Sequence, residues 1–170
     1  MSSEVIAAIL GALLAGGFQT IVNIFDRRRE DEAVLVAIAA EVDALCRLIR
    51  HQEYLSDVRQ LLEELEGGES ETVNYVVDIR NDYFTVYNAL AYQLGRLKPE
   101  SSARIIKFYA YCKTIIDGTR PDGIAAQQRD KSESILAMRS LVELLSVVLE
   151  LGDHIVQLPK NPLLGSEQET

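Results

Sequence analysis

The stretch Val5-IAAILGALLAGGFQTIVNI-Phe25, followed at once by Asp26-Arg27-Arg28-Arg29, decides how the rest of the chain is read. Residues 5–25 carry no charged side chain. Wound as a helix at about 1.5 Å per residue, they reach roughly 31 Å, close to the hydrocarbon thickness of a bilayer. Glu4 precedes the run without any Lys or Arg, and the arginine triplet follows it. The asymmetry of positive charge predicts a short N-terminus outside and a C-terminal domain on the cytoplasmic side of the inner membrane. Two rivals are weaker. A cleaved signal peptide carries its positive charge before the apolar run, not after it. A buried core helix would have to be covered on every side, which a chain of 170 residues can hardly supply.

The inside of the run has its own pattern. Ala8, Ala12 and Gly16 lie four apart, and Gly11 with Ala15 forms a second small pair. Such spacing lets helix backbones approach closely in lipid and predicts homo-oligomerisation through Ala8, Ala12 and Gly16. Gln19, Thr20 and Asn23 sit toward the inner end. Amides facing lipid are costly, so they either hydrogen-bond across a helix interface or line a wet conduit, or else reach headgroup water. If they line a conduit, Glu4, Asp26 and Glu30 near its mouths predict a preference for cations.

Beyond the run, the spacing predicts an all-α fold: one transmembrane helix continuing into a cytoplasmic antiparallel helical bundle. The expected organisation is an anchor over 1–25, a helical domain over 26–158 and a disordered tail over 159–170. Leu35, Ile38, Val42, Leu45 and Ile49 step by three and four, and the seam resumes out of register as Leu55, Val58, Leu62 and Leu65. One long helix over 26–66 is expected, with a local change of winding or partner at the slip. Gly67-Gly68 ends it. Further helices are expected over 73–95, 99–117 and 124–157, the last on the seam Ile135, Met138, Val142, Leu145, Leu149, Gly152 and Val156. Arg139, Glu143 and Glu150 argue against a second membrane span there.

The net charge of −9 excludes a generally basic nucleic-acid-binding protein. Cys46 and Cys112 lie between apolar neighbours and read as buried free thiols, which fits a reducing compartment. His51 and His154 belong to no metal or protease pattern, and no catalytic set of residues stands out. The expectation is a protein without enzymatic activity, cofactor or metal. One local excess stands out: Arg96, Lys98, Arg104, Lys107, Lys113 and Arg120, against Glu100 and Asp117, give +4 between residues 96 and 120. These cations either hold a phosphate-bearing ligand, such as a nucleotide or short oligonucleotide, or pair with acidic helices or the anionic leaflet.

Val86-Tyr87-Asn88, Leu94-Gly95-Arg96-Leu97-Lys98-Pro99-Glu100 and Ile105-Ile106-Lys107-Phe108-Tyr109, placed after a membrane helix with an arginine-rich flank, resemble a group of small bacterial proteins. These have an N-terminal membrane helix and a helical cytoplasmic domain. The layout is similar to pore-forming membrane effectors of Hailong-type anti-phage defence. The resemblance implies an oligomeric ion-conducting effector with an enzyme partner encoded nearby that makes its nucleotide signal. It brings no catalytic residues. The alternative from the residues alone is a non-conducting anchor that recruits a partner protein.

Overall fold

A computed structural model describes residues 3–77, 83–127 and 130–159, with side chains described from Phe25 onward. The regular elements among the described residues are all helices, with no strand among them. The long helix α1 runs Ser3–His51, α2 Tyr54–Gly67, α3 Thr85–Leu90, α4 Pro99–Thr119 and α5 Lys131–Gln157, and a 3-10 helix, Ala91–Arg96, follows α3. Among the described residues no helix is long and apolar enough to cross a membrane. Apart from Phe25, the apolar run over 5–25 lies outside the residues whose side chains are described, as do 160–170 of the expected tail.

The backbone of α1 is unbroken over its 49 residues, a rod of about 73 Å. It does not continue to residue 66 as expected. Glu53 takes the left-handed conformation, φ 56° and ψ 21°, and separates α1 from α2. The break coincides with the register slip between Ile49 and Leu55. The Ser56 hydroxyl donates to the Glu53 carbonyl at 2.8 Å, and Asp57 N–H donates to the same carbonyl at 3.0 Å, restarting the helix. Gly68, φ 82°, closes α2 in the left-handed conformation that glycine adopts at little cost.

Helix α5 is the spine, packing against α1, α2 and α4. Arg139 pairs with Glu66 near the end of α2, whereas Gly152 packs against Cys46 and Val42 of α1. Moving forward along α5 thus moves backward along α1 and α2, so α5 is antiparallel to both. Helix α4 runs the other way. Arg96, just before it, meets Glu30, while Tyr109 meets Glu41 further along. Helix α4 is therefore parallel to α1, and the expected fully antiparallel bundle is corrected in that respect.

The cause lies in the segment between α2 and α4. The helix expected over 73–95 forms only in its second half, as α3 and the 3-10 helix. Residues 73–77 are extended instead: Tyr75 N–H donates to Ala125 O at 2.9 Å and Val77 N–H to Thr119 O at 3.0 Å. Val73, Tyr75 and Val77 are half-buried while Asn74 and Val76 are exposed, the period of two of an extended chain. The start of the last helix is also corrected, from 124 to Lys131. Asp130 caps it by accepting from Glu133 N–H at 3.0 Å, and that bond, with a second from Ser132, holds its carboxyl below the usual range. The turns over 120–126 precede it.

Two apolar clusters make the core. One joins Val34, Ile38, Val42 and Cys46 of α1 to Ile105, Phe108 and Cys112 of α4 and to Val148 and Ile155 of α5. The other joins Val58 and Leu65 of α2 to Met138, Leu141 and Leu145 of α5. The α1 and α2 seams are therefore as expected. In α5 the buried face is Ala137, Met138, Leu141, Leu145, Val148, Gly152 and Ile155, turned slightly from the expected seam because three helices share it.

Candidate functional site: the face between α3 and α4

Glu41 organises this face. It lies on α1 between apolar core positions, and its carboxylate accepts Val86 N–H at 2.7 Å, Tyr87 N–H at 3.0 Å and the Tyr109 hydroxyl at 2.6 Å. The first two are free N–H groups at the start of α3, where a carboxylate is favoured by the helix dipole. One side chain thus ties α1, α3 and α4 together. Around it Tyr87 stacks on Tyr109 with centroids 3.9 Å apart, and Phe84 and Phe108 meet Tyr109 edge-on at 5.4 and 5.2 Å. Burial, reinforced by the bond to Glu41, drives the acidity of the Tyr109 hydroxyl far below that of a free phenol. Sequence reading missed Glu41. The available signal was a carboxylate set beside Ile38 and Val42 on the inward face of α1.

Beside this cluster runs a groove of about 490 Å³, lined by Tyr83, Tyr87, Asn88, Ile106, Lys113, Asp117 and Arg120. Of the six basic residues singled out from sequence, only Lys113 and Arg120 reach it. Arg120 pairs with Asp117 at 3.4 Å, both well exposed, so the pair adds little stability. Arg104 and Lys107 belong to other faces of α4, since helical geometry turns them by about 180° and 120° from Lys113. The Lys107 ammonium lies 5.5 Å from the Tyr111 ring centroid. Arg96 sits at the opposite end of α4, bound to Glu30 at 2.7 Å and to Asp31 at 3.1 Å, and Lys98 follows it. The six cations do not form one cluster. Glu30, expected near a conduit mouth, is engaged by Arg96.

Two other concavities flank the bundle. An apolar cavity of about 90 Å³ lies between α1, α4 and α5, lined by Leu45, Ile49, Tyr75, Cys112, Ile115 and Leu145 among others. A wider groove of about 930 Å³ between the end of α4 and the start of α5 carries Ile124 and Leu136, 76% and 68% exposed. Cys46 and Cys112 are buried and free, and burial raises their thiols to about 11 and about 12. Neither is a ready nucleophile at neutral pH. His51 and His154 are exposed, and no group of metal-binding side chains occurs among the described residues. Ala8, Ala12, Gly16, Gln19, Thr20 and Asn23 fall outside the described side chains. Compared with family models, curated proteins and solved structures, the chain matches none.

Proposed function

We propose that this chain is a single-pass protein of the bacterial inner membrane, acting as an oligomeric effector whose helical domain controls the anchor mechanically. The observation that carries this reading is the unbroken backbone of α1 from Ser3 to His51. An apolar run of membrane length and the inward seam of the bundle belong to one rod, so a tilt or rotation of the bundle moves the run directly. In this reading the anchors associate through Ala8, Ala12 and Gly16, and Gln19, Thr20 and Asn23 line a narrow conduit. Opening it depolarises the cell, which suits anti-phage defence. The anionic ligand acts on the groove between α3 and α4, where Lys113 and Arg120 lie beside Tyr83 and Tyr87. Glu41 there links any displacement of α3 or α4 to α1.

The full chain in planar bilayers is expected to pass ionic current that Asn23→Leu and Gln19→Leu alter. A confirmed oligomer that passes none, with or without nucleotides, refutes the conduit. Lys113→Glu with Arg120→Glu is expected to abolish nucleotide dependence, whereas Arg104→Glu is not.

A second reading, a non-conducting anchor that recruits a partner protein, draws on the exposed Ile124 and Leu136 in the groove between α4 and α5. Expression toxicity that depends on residues 5–25 separates the two, because only the effector requires it.

A further inference from the structure

The bundle carries two grooves of opposite charge. The groove between the end of α4 and the start of α5 is lined by the carboxylates of Asp117, Asp122 and Glu133, and no Lys, Arg or His among the described residues lines it. Its apolar side chains Ile124 and Leu136 are largely exposed. The groove between α3 and α4 sets Lys113 and Arg120 against one acid, Asp117, and its exposed apolar side chains are Tyr83 and Ile106. Arg120 meets Asp117 through Nη1 alone, at 3.4 Å and in solvent, so the rest of its five-donor fork can take a second carboxylate.

The two grooves share the last turns of α4. Lys113 and Arg120 lie on one side of that helix, and Thr114 and Gly118, which line the acidic groove, lie about 100–160° away around its axis. Because α4 is parallel to α1, both grooves stand at a similar height along the rod. The membrane is no partner for the acidic groove, since carboxylates are repelled by an anionic leaflet. Nor does this groove pair with itself. A two-fold contact sets Asp122 and Glu133 against their own copies, and like charges across an interface are costly. The basic groove of one copy against the acidic groove of the next has the right sign. Similar height lets both copies keep their anchors in one membrane, pointing the same way. A contact between two different faces repeats head to tail and closes into a ring where the rotation allows.

We infer that the acidic groove docks the basic groove of a second copy of this chain: Asp122 and Glu133 pair with the next copy's Lys113 and Arg120, and Ile124 is covered from the side of its Tyr83. This deepens the oligomeric reading above and rests on it. In that reading the anionic ligand meets the same two cations, so ligand and neighbouring carboxylates compete for them, and binding loosens the ring.

Both native thiols are buried, so new ones at the surface make a direct test. Full chains carrying Tyr83→Cys and, under a different tag, Ile124→Cys are co-produced, purified in maltoside micelles and treated with a flexible bismaleimide. Circular dichroism first confirms that the helix content of each variant matches the parent. The expected result is a cross-linked dimer of the two tagged chains, and none from either chain produced alone. Adding Lys113→Glu and Arg120→Glu to the Tyr83→Cys chain is expected to abolish the cross-link. Adding Asp122→Lys and Glu133→Lys to the Ile124→Cys chain is then expected to restore it. A cross-link from Ile124→Cys alone overturns the inference in favour of a two-fold contact, and one indifferent to charge reversal overturns the pairing. Sedimentation of the same micelles separates the remaining cases. An oligomer without the cross-link overturns the docking and leaves association through the anchors standing, whereas monomers throughout overturn the oligomer and the docking together.

Discussion

Replacing Gly152 by Ala tests the packing of the core where α5 meets α1 and α4. A Cβ at residue 152 would fall on Cys46 Sγ, 3.3 Å from Phe108 Cε2 and 3.5 Å from Val42 Cγ1. These atoms belong to α1 and α4, and all three residues are fully or almost fully buried, so none can swing into solvent. Overpacking a tight core costs about 1–3 kcal/mol, and with two helices to displace the upper end, about 3 kcal/mol, applies. Alanine in place of glycine within a helix returns about 1 kcal/mol. The net expectation for Gly152→Ala is a loss of about 2 kcal/mol, or about 4–8 °C in Tm for a chain of this size. Cys46→Ala alone removes one buried heavy atom and costs about 1 kcal/mol. In the double variant the new methyl takes the place of the sulfur. Its stability is expected within about 1 kcal/mol of the parent, not the roughly 3 kcal/mol loss of additive effects, a coupling of about 2–3 kcal/mol. Thermal and urea unfolding of the full chain in detergent micelles, followed by far-UV circular dichroism, measures all four corners. A Gly152→Ala variant as stable as the parent, or one that Cys46→Ala does not restore, would refute this account of the helix contact.

Other consequences are open to the same unfolding assays. Glu41→Ala strands two N–H groups and a buried hydroxyl and is expected to cost about 2 kcal/mol, with Tyr109→Phe less harmful in that background than alone. Gly123→Ala is expected to disrupt the turn before α5, since its Cβ would fall on the carbonyl oxygens of Gly118 and Asp117; Gly118→Ala, with open space around it, should be neutral or stabilising. Burial raises the thiol of Cys46 from the ordinary 9.0 to about 11 and that of Cys112 to about 12, so the unfolded chain gives up these protons first as pH rises. Stability from these thiols is full below pH 9 and is expected to fall as pH climbs through about 11 to 12, and iodoacetamide at pH 8 should label both only after denaturation.

Much of the fold was legible because apolar residues at three–four spacing have few alternatives to a helix buried on one side. The seams of α1, α2 and α5 all pack inward, and Met138 and Leu145 are core residues as the period required. The segment 73–77 misled because five residues are too few for a period of two to stand out, even though Val and Tyr favour extended chain. Its conformation depends on bonds to Ala125 and Thr119, about fifty residues away, which no local pattern reveals. The basic residues misled in another way. Six cations between residues 96 and 120 form a patch along the sequence, but α4, roughly 30 Å long, holds Arg96 and Lys98 at one end and Arg120 at the other, and turns Arg104, Lys107 and Lys113 around its circumference. Counting charge per segment, without assigning each residue an angle, overstated the site.

The break between α1 and α2 shows what the register slip means physically. No glycine or proline lies between His51 and Tyr54, yet the helix stops, and Glu53 adopts a left-handed conformation that costs a side-chain-bearing residue of order 1–3 kcal/mol. An uninterrupted helix over 26–66 would keep its own hydrogen bonds, but Val58 and Leu65 would then lie off the stripe that Ile38 and Val42 present to α5. Breaking at Glu53 rotates α2 so that both buried faces meet the same partner. Burying side chains such as Val58 and Leu65 is worth about 1.5–3 kcal/mol each, which outweighs the local strain. Glu53→Gly, which removes the steric penalty while keeping the bend, is therefore expected to be neutral or stabilising by up to about 1 kcal/mol. An Ala at 53 retains the penalty and should not be. If Glu53→Ala stabilised more than Glu53→Gly, straightening would be favourable, and the bend would not be what brings α2 onto α5.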